Sequence, residues 1–284
     1  MNPYEQYVQH LADLVTGARQ FRLGGFPDYP RPAPRADAPV ALIFSPHPDD
    51  EVIIGGWALR LLRQSQWRVI NIAVTQGSSK PRQQPRWAEL QACCQCIGFD
   101  LQATVTNGLE GVNPKVRSED PARWNVMVQT ISGILAEHQP RAIFYPHETD
   151  WNSTHIGTHY VVADALKTLP RAFTCAAIET EFWGQMPKPN VLVESSPADV
   201  AALVTALTFH VGEVQRNPYH LTLPAWMMDN VRRGGEWVGG QGQAAPQFHF
   251  GTMYRLRKWA NHEFEARLVP NGFMDAAQDP AALL

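Results

Sequence analysis

Two hydrophobic periods alternate along most of this chain. Short apolar runs predict strands at 40–45, 68–74, 101–106, 141–145 and 173–182. Between them, apolar residues at helical spacing predict helices at 51–64, 86–97, 121–138 and 156–168. Strand and helix in regular succession predict a parallel sheet covered by helices on both faces.

The ends of the chain break this rhythm. An amphipathic helix is expected at 4–18, followed by a Pro-rich arm at 26–34 whose prolines hold it extended. Helices are expected at 197–210 and in the segment ending at 235, and the Gly-rich stretch 234–242 reads as a flexible loop. That loop lacks Gly-Lys-Ser/Thr and a preceding strand, so it is no phosphate cradle; it reads as a surface or subunit contact, with a lid as the lesser alternative. No internal repeat or linker is visible. The expectation is one domain over 1–284, with an N-terminal helix and arm (1–38), an α/β core (39–215) and a C-terminal elaboration (216–284).

Composition narrows the class. The 284 residues are 44% hydrophobic, enough for one large domain, and the formal net charge of -3 gives no nucleic-acid or membrane-surface footprint. No run approaches a membrane span and no signal-peptide core is present, so a cytoplasmic location without membrane insertion is expected. Nine Trp and 23 Pro favour aromatic surfaces buried between subunits, hence a homo-oligomer. Cys93 and Cys96 have C-x-x-C spacing, but they lie on an apolar helical pattern ending at Gly98 and read, with Cys94 and Cys175, as buried thiols.

The candidate chemistry sits just after the first strand, in His47-Pro48-Asp49-Asp50-Glu51. Three adjacent carboxylates raise one another's pKa and oppose folding unless a positive charge joins them. A divalent cation held by imidazole and carboxylate removes that cost. His47 and Asp50, three apart on a tight turn, both face one ion while Asp49 points elsewhere. A second cluster, His147-Glu148-Thr149-Asp150-Trp151-Asn152-Ser153-Thr154-His155 with His159 beyond, follows the fourth strand. Ligands of open α/β sheets bind beyond the C-terminal strand ends, so both clusters reach the same edge. The residues alone leave His147, His155 and His159 as candidates for a third ligand.

Pro46-His47-Pro48-Asp49-Asp50-Glu51 after a first strand resembles the signature of the PIG-L/LmbE-like N-deacetylases. Thr75-x-Gly77, Arg86-x-x-Glu89 and a His-bearing helix start after the fourth strand agree in order, and the resemblance spans about 38 to 215. It implies a three-layer, Rossmann-like, mostly parallel sheet and a Zn2+-dependent hydrolase that removes an N-acetyl or similar acyl group from an amino sugar or glycoconjugate. It implies His47, Asp50 and His155 as zinc ligands, metal-bound water as nucleophile and Asp49 as general base. The family commonly has His-Pro-Asp-His where this chain has Asn152-Ser153-Thr154-His155, so Asn152 replaces a histidine and is the candidate oxyanion donor. Arg86 is a candidate contact to a sugar or its anionic substituent, or else a helix-start partner of Glu89. Trp151 is a candidate to stack on a sugar face. Three readings compete: a non-catalytic metal- or sugar-binding relative, a non-haem iron oxygenase using His47-x-Asp49, and a two-metal phosphoesterase drawing on Glu148 and Asp150.

Overall fold

The computed structural model describes residues 2–33, 35–266, 269 and 272–284; Pro34, the last residue of the Pro-rich arm, lies outside them. The elements run α1 (Pro3–Ala18), β1 (Val40–Ser45), α2 (Asp50–Ile53), α3 (Trp57–Gln64), β2 (Arg68–Ala73), α4 (Lys80–Ile97) and β3 (Asp100–Ala103). Next come α5 (Pro114–Glu119), α6 (Pro121–His138), β4 (Ala142–Pro146), α7 (Ser153–Thr168) and β5 (Cys175–Thr180). The chain ends with β6 (Val191–Glu194), α8 (Pro197–Leu207), α9 (Val211–Arg216), a 3-10 turn (Tyr219–Leu221), α10 (Leu223–Trp237), β7 (Gly251–Ala260), β8 (Glu263–Ala266) and β9 (Phe273–Met274).

These strands form one mostly parallel sheet in the order β3-β2-β1-β4-β5-β7-β6-β9, with β8 paired to β7. The alternation in β1 explains the layering. Ala41 and Ile43 belong to the core cluster that holds Trp57, Leu90 and Leu203, whereas Leu42 and Phe44 belong to the cluster with Trp124, Ile131 and Val161. Successive strand residues point to opposite faces, so one strand feeds two cores. β1 pairs parallel with β2 on one side and β4 on the other. The chain therefore reverses direction across the sheet between β1 and β4, and the crevice beyond their C-terminal ends is the place such a fold offers a ligand.

Four expectations need correction. The helix at 51–64 is two helices, because Gly55 takes φ 88° and a Cβ there would lie 2.1 Å from Thr252 Oγ1. The third strand stops at Ala103, short of 106, and the helix before it starts at Lys80, ahead of 86. The Gly-rich stretch is helical as far as Trp237. Gly234 and Gly235 serve close packing there: a Cβ on Gly234 would lie 2.7 Å from Leu192 Cδ2, and one on Gly235 2.8 Å from the Ala245 nitrogen.

The C-terminal segment completes the sheet. β7 runs antiparallel between β5 and β6, and its Tyr254 donates to the Ile54 carbonyl at 2.6 Å, fixing the break after α2. Trp57 and Phe144 meet the Tyr254 ring edge-on. Farther on, the Trp57 indole donates to Pro280 O, and Arg60 donates to the carbonyls of Asp275 and Gln278. Helix α1 buries none of its residues, leaving Tyr4, Val8 and Leu14 exposed. The arm lies along α4, with Tyr29 N donating to Cys96 O. All four cysteines are free and buried, as expected, and burial foremost raises the pKa of each thiol. No described helix is long and apolar enough to cross a membrane.

Candidate metal centre

The turn after β1 is built to aim two side chains in different directions. Asp49 adopts φ 112°, a left-handed backbone that costs a non-glycine residue of order 1–3 kcal/mol and persists only where neighbours enforce it. Its N–H donates to Glu51 Oε2 at 2.9 Å, while Glu51 Oε1 pairs with His210 Nε2 at 2.7 Å. The Arg86 guanidinium donates to Pro48 O at 2.8 Å. Asp50 closes the turn by accepting from His47 N at 2.8 Å.

With the turn held so, three donor atoms converge. His47 Nδ1 and His155 Nε2 are 3.2 Å apart, and Asp50 Oδ2 is 3.3 Å from each. His155 is fully buried at the start of α7, its ring edge-on to Phe182 with centroids 4.7 Å apart. His155 Nδ1 faces Asp150 Oδ1 at 3.4 Å and has no other polar partner. Asp150 in turn accepts from the N–H groups of Asn152, Trp183 and Gly184. A carboxylate behind a ligating imidazole fixes its tautomer and strengthens it as a donor. Two imidazole nitrogens and one carboxylate oxygen suit a borderline cation such as zinc, and three protein donors leave an open position.

The charges agree with that donor set. Burial alone would depress the pKa of His155, but Asp50 and Asp150 overcome it and push it up to about 10. Burial would raise Asp50, yet His155 and His47 hold it well below the usual carboxylate range. The pocket thus draws positive charge to the point where the three donors meet. Asp49 differs: burial, then repulsion from Asp50, push it up to about 7, opposed by His210, Arg86 and a hydrogen bond from Tyr219. Tyr219 Oη donates to Asp49 Oδ2 at 2.5 Å and Arg86 stands 3.8 Å from the same oxygen.

The remaining expected residues are placed as follows. Asn152 caps α7, its side-chain oxygen accepting from Thr154 N, which leaves only its amide N–H groups as donors. Arg86 faces Asp49, Pro48 and Glu213, so its partner is the turn itself; Glu89 instead accepts from Gly212 N and faces Arg82. Trp151 is 84% exposed beside the distal turn. His147 ties Thr149 to Gly184 O, and His159 bonds Pro146 O and stacks on Tyr145; burial depresses His159 to about 4, so it is neutral. Neither reaches the centre. Glu148 is exposed and Asp150 faces His155, so the two offer no second-metal site, and the parallel sheet removes the structural ground for the oxygenase reading.

Tyr219, Trp183, Glu181 and Arg233 were not legible from sequence. Tyr219 lies 170 residues from Asp49 and Arg233 lies farther still, in a segment without a recognisable pattern. Asp150 carried a usable signal, since a carboxylate five residues before a candidate ligand is placed to orient it.

Comparison with known proteins gives a family match over part of the chain and solved structures of like fold. The family described as PIG-L, GlcNAc-PI de-N-acetylase, matches residues 42–166, which contain every donor of the centre. No curated protein sequence matches the chain. Among solved structures, N,N'-diacetylchitobiose deacetylase from Pyrococcus horikoshii, complexed with its inhibitor, superposes with a TM-score of 0.56 at 17% identity, over 88% of this chain and 92% of that one. A 4-carboxy-2-hydroxymuconate hydratase from Pseudomonas putida gives 0.57 at 14% identity, over 77% and 95%. The zinc-inhibited form of teicoplanin deacetylase gives 0.53 at 15%, over 78% and 98%. At these identities the likeness shows a shared fold, and that fold carries more than one chemistry.

Proposed function

Taking the resemblance to the PIG-L family over residues 42–166 as the premise, we propose that this protein is a zinc-dependent amidohydrolase that removes an N-acyl group from an amino sugar or glycoconjugate. His47, Asp50 and His155 would hold the ion, with Asp150 orienting His155. Zinc, when bound, supplies Lewis-acid polarisation of an amide carbonyl and makes water acidic enough to be deprotonated near neutral pH. Asp49 takes the proton of the attacking water and returns it to the leaving amine. The left-handed backbone of Asp49 keeps its carboxyl off the metal donors and free for both transfers. Tyr219 and Arg86 hold one oxygen of Asp49 still. The Asn152 amide, whose oxygen is engaged at the α7 cap, is the candidate donor for the developing oxyanion. The observation that carries this reading is the division of labour in two adjacent aspartates: Asp50 joins the donor cluster, while Asp49, also buried, stands outside it.

The test joins metal analysis to an amine-release screen of N-acetylated sugars. Chelated protein should be inactive and one equivalent of Zn2+ should restore amine release, whereas His155→Gln should bind no ion. Full activity after exhaustive chelation, or stoichiometric metal in His155→Gln, refutes the assignment.

A further inference from the structure

Two cavities flank the three-donor centre, and they differ in kind. One, about 320 Å³, includes His47 and is lined by polar groups such as Ser78, Gln83, Asn113 and Thr154. The other, about 280 Å³, is walled by Ile53, Phe182, Trp183, Tyr219, Leu223 and Trp226. Each link from this second cleft to the centre is direct. Ile53 closes the helix that begins with Asp50, Phe182 packs on the His155 ring, and Tyr219 bonds Asp49. Trp183 meets Tyr219 edge-on at 6.0 Å and remains 54% exposed, so an aromatic surface is left open beside the reacting groups.

Among the described residues of this wall, the one cation is already matched. Arg233 donates to both Glu181 oxygens at 3.2 and 2.8 Å, to Asp229 at 3.0 Å and to Asn230 at 2.6 Å. Asp229 also accepts from Arg232, so among the described residues these two carboxylates meet two guanidinium groups, and the cleft offers no unpaired cation to a phosphate or carboxylate. Its aromatic and aliphatic lining offers instead a large dehydrated surface to a neutral group.

We propose that the aromatic cleft is a subsite for an apolar group, alkyl or aryl, carried by the amide that this protein cleaves. The proposal rests on the amidohydrolase reading and narrows its substrate class to N-acylated amines bearing a hydrophobic substituent. That substituent sits either on the acyl side or on the sugar side of the scissile bond, and the chemistry of the cleft is the same for both.

A chain-length series on the zinc-loaded, full-length protein tests it. One arm uses glucosamine N-acylated with acetyl, butanoyl, hexanoyl or octanoyl groups. The second uses N-acetylglucosamine with methyl, butyl or octyl on the anomeric oxygen. Amine release gives kcat/KM, and quenching of tryptophan fluorescence gives Kd independently of turnover. Each methylene entering the cleft should raise kcat/KM, or lower Kd, about two- to fourfold, and the arm that responds identifies the side. Leu223→Asn and Trp226→Ser should flatten that slope; should either fail to fold, the wild-type slope still decides. Amine release without length dependence in either arm overturns the cleft assignment and spares the hydrolase reading. No release, but length-dependent quenching, overturns the hydrolase reading and supports the cleft. Flat binding in both arms refutes the proposal.

Discussion

Asp49→Asn separates stability from activity. Asp49 is 9% exposed, and burial and Asp50 push its pKa from 3.8 to about 7 in the metal-free protein. Between these values the folded state binds more protons than the unfolded one, so stability falls as pH rises from about 4 and levels off above 7. At about 1.4 kcal/mol per unit, the full penalty approaches about 4 kcal/mol. Replacing the carboxylate by an amide removes that penalty, and asparagine tolerates the left-handed backbone. That penalty is already net of the Tyr219 hydrogen bond and the Arg86 charge, both of which favour the carboxylate. A gain of up to about 4 kcal/mol is expected at pH 8.5, with little at pH 4.

Urea denaturation of chelated wild type and variant at the two pH values measures the difference. In the zinc-loaded protein, amine release by the variant should fall by about 10²–10⁴-fold, the usual worth of a general base. A variant less stable than wild type at pH 8.5, or a gain unchanged at pH 4, would show that the Asp49 charge is not strained. Retained turnover would remove Asp49 from the chemistry.

Two further outcomes follow from packing around the centre. Asp150→Asn should weaken zinc binding about 10- to 100-fold without abolishing it, read by competition with a chromogenic chelator, because the group orienting His155 loses its charge; unchanged affinity would detach Asp150 from the centre. Gly55→Ala should destabilise the fold by about 2–4 kcal/mol, read by thermal unfolding, since its Cβ would overlap Thr252 at a positive φ; a neutral result would mean that β7 yields easily.

The parallel half of the fold was legible because β1, β2, β4 and β5 are apolar runs separated by helices of ordinary length. The same regularity placed His47, Asp50 and His155 on one edge. The break at Gly55–Gly56 was not legible, since its cause is Thr252 and Ser195, distant in sequence. Strands β6 to β9 escaped for a related reason: β7 pairs with β5 and β6, and nothing local announces such partners. The aromatic cleft was missed with them. Trp151, adjacent in sequence to the distal motif, drew attention, whereas Trp183, Tyr219 and Trp226 reach the site only through tertiary packing. Residue spacing finds donors on neighbouring turns and is blind to walls assembled from far apart.

The late strand β7 bears on biosynthesis. Until the ribosome has released residues 251–260, β5 and β6 each lack a neighbour, and the latch of Pro280 and Asp275 onto Trp57 and Arg60 arrives later still. A nascent chain that already carries His47, Asp50 and His155 therefore waits, half-open and prone to mispairing, for residues 251–280. Expression of a fragment ending near 215 should yield aggregates.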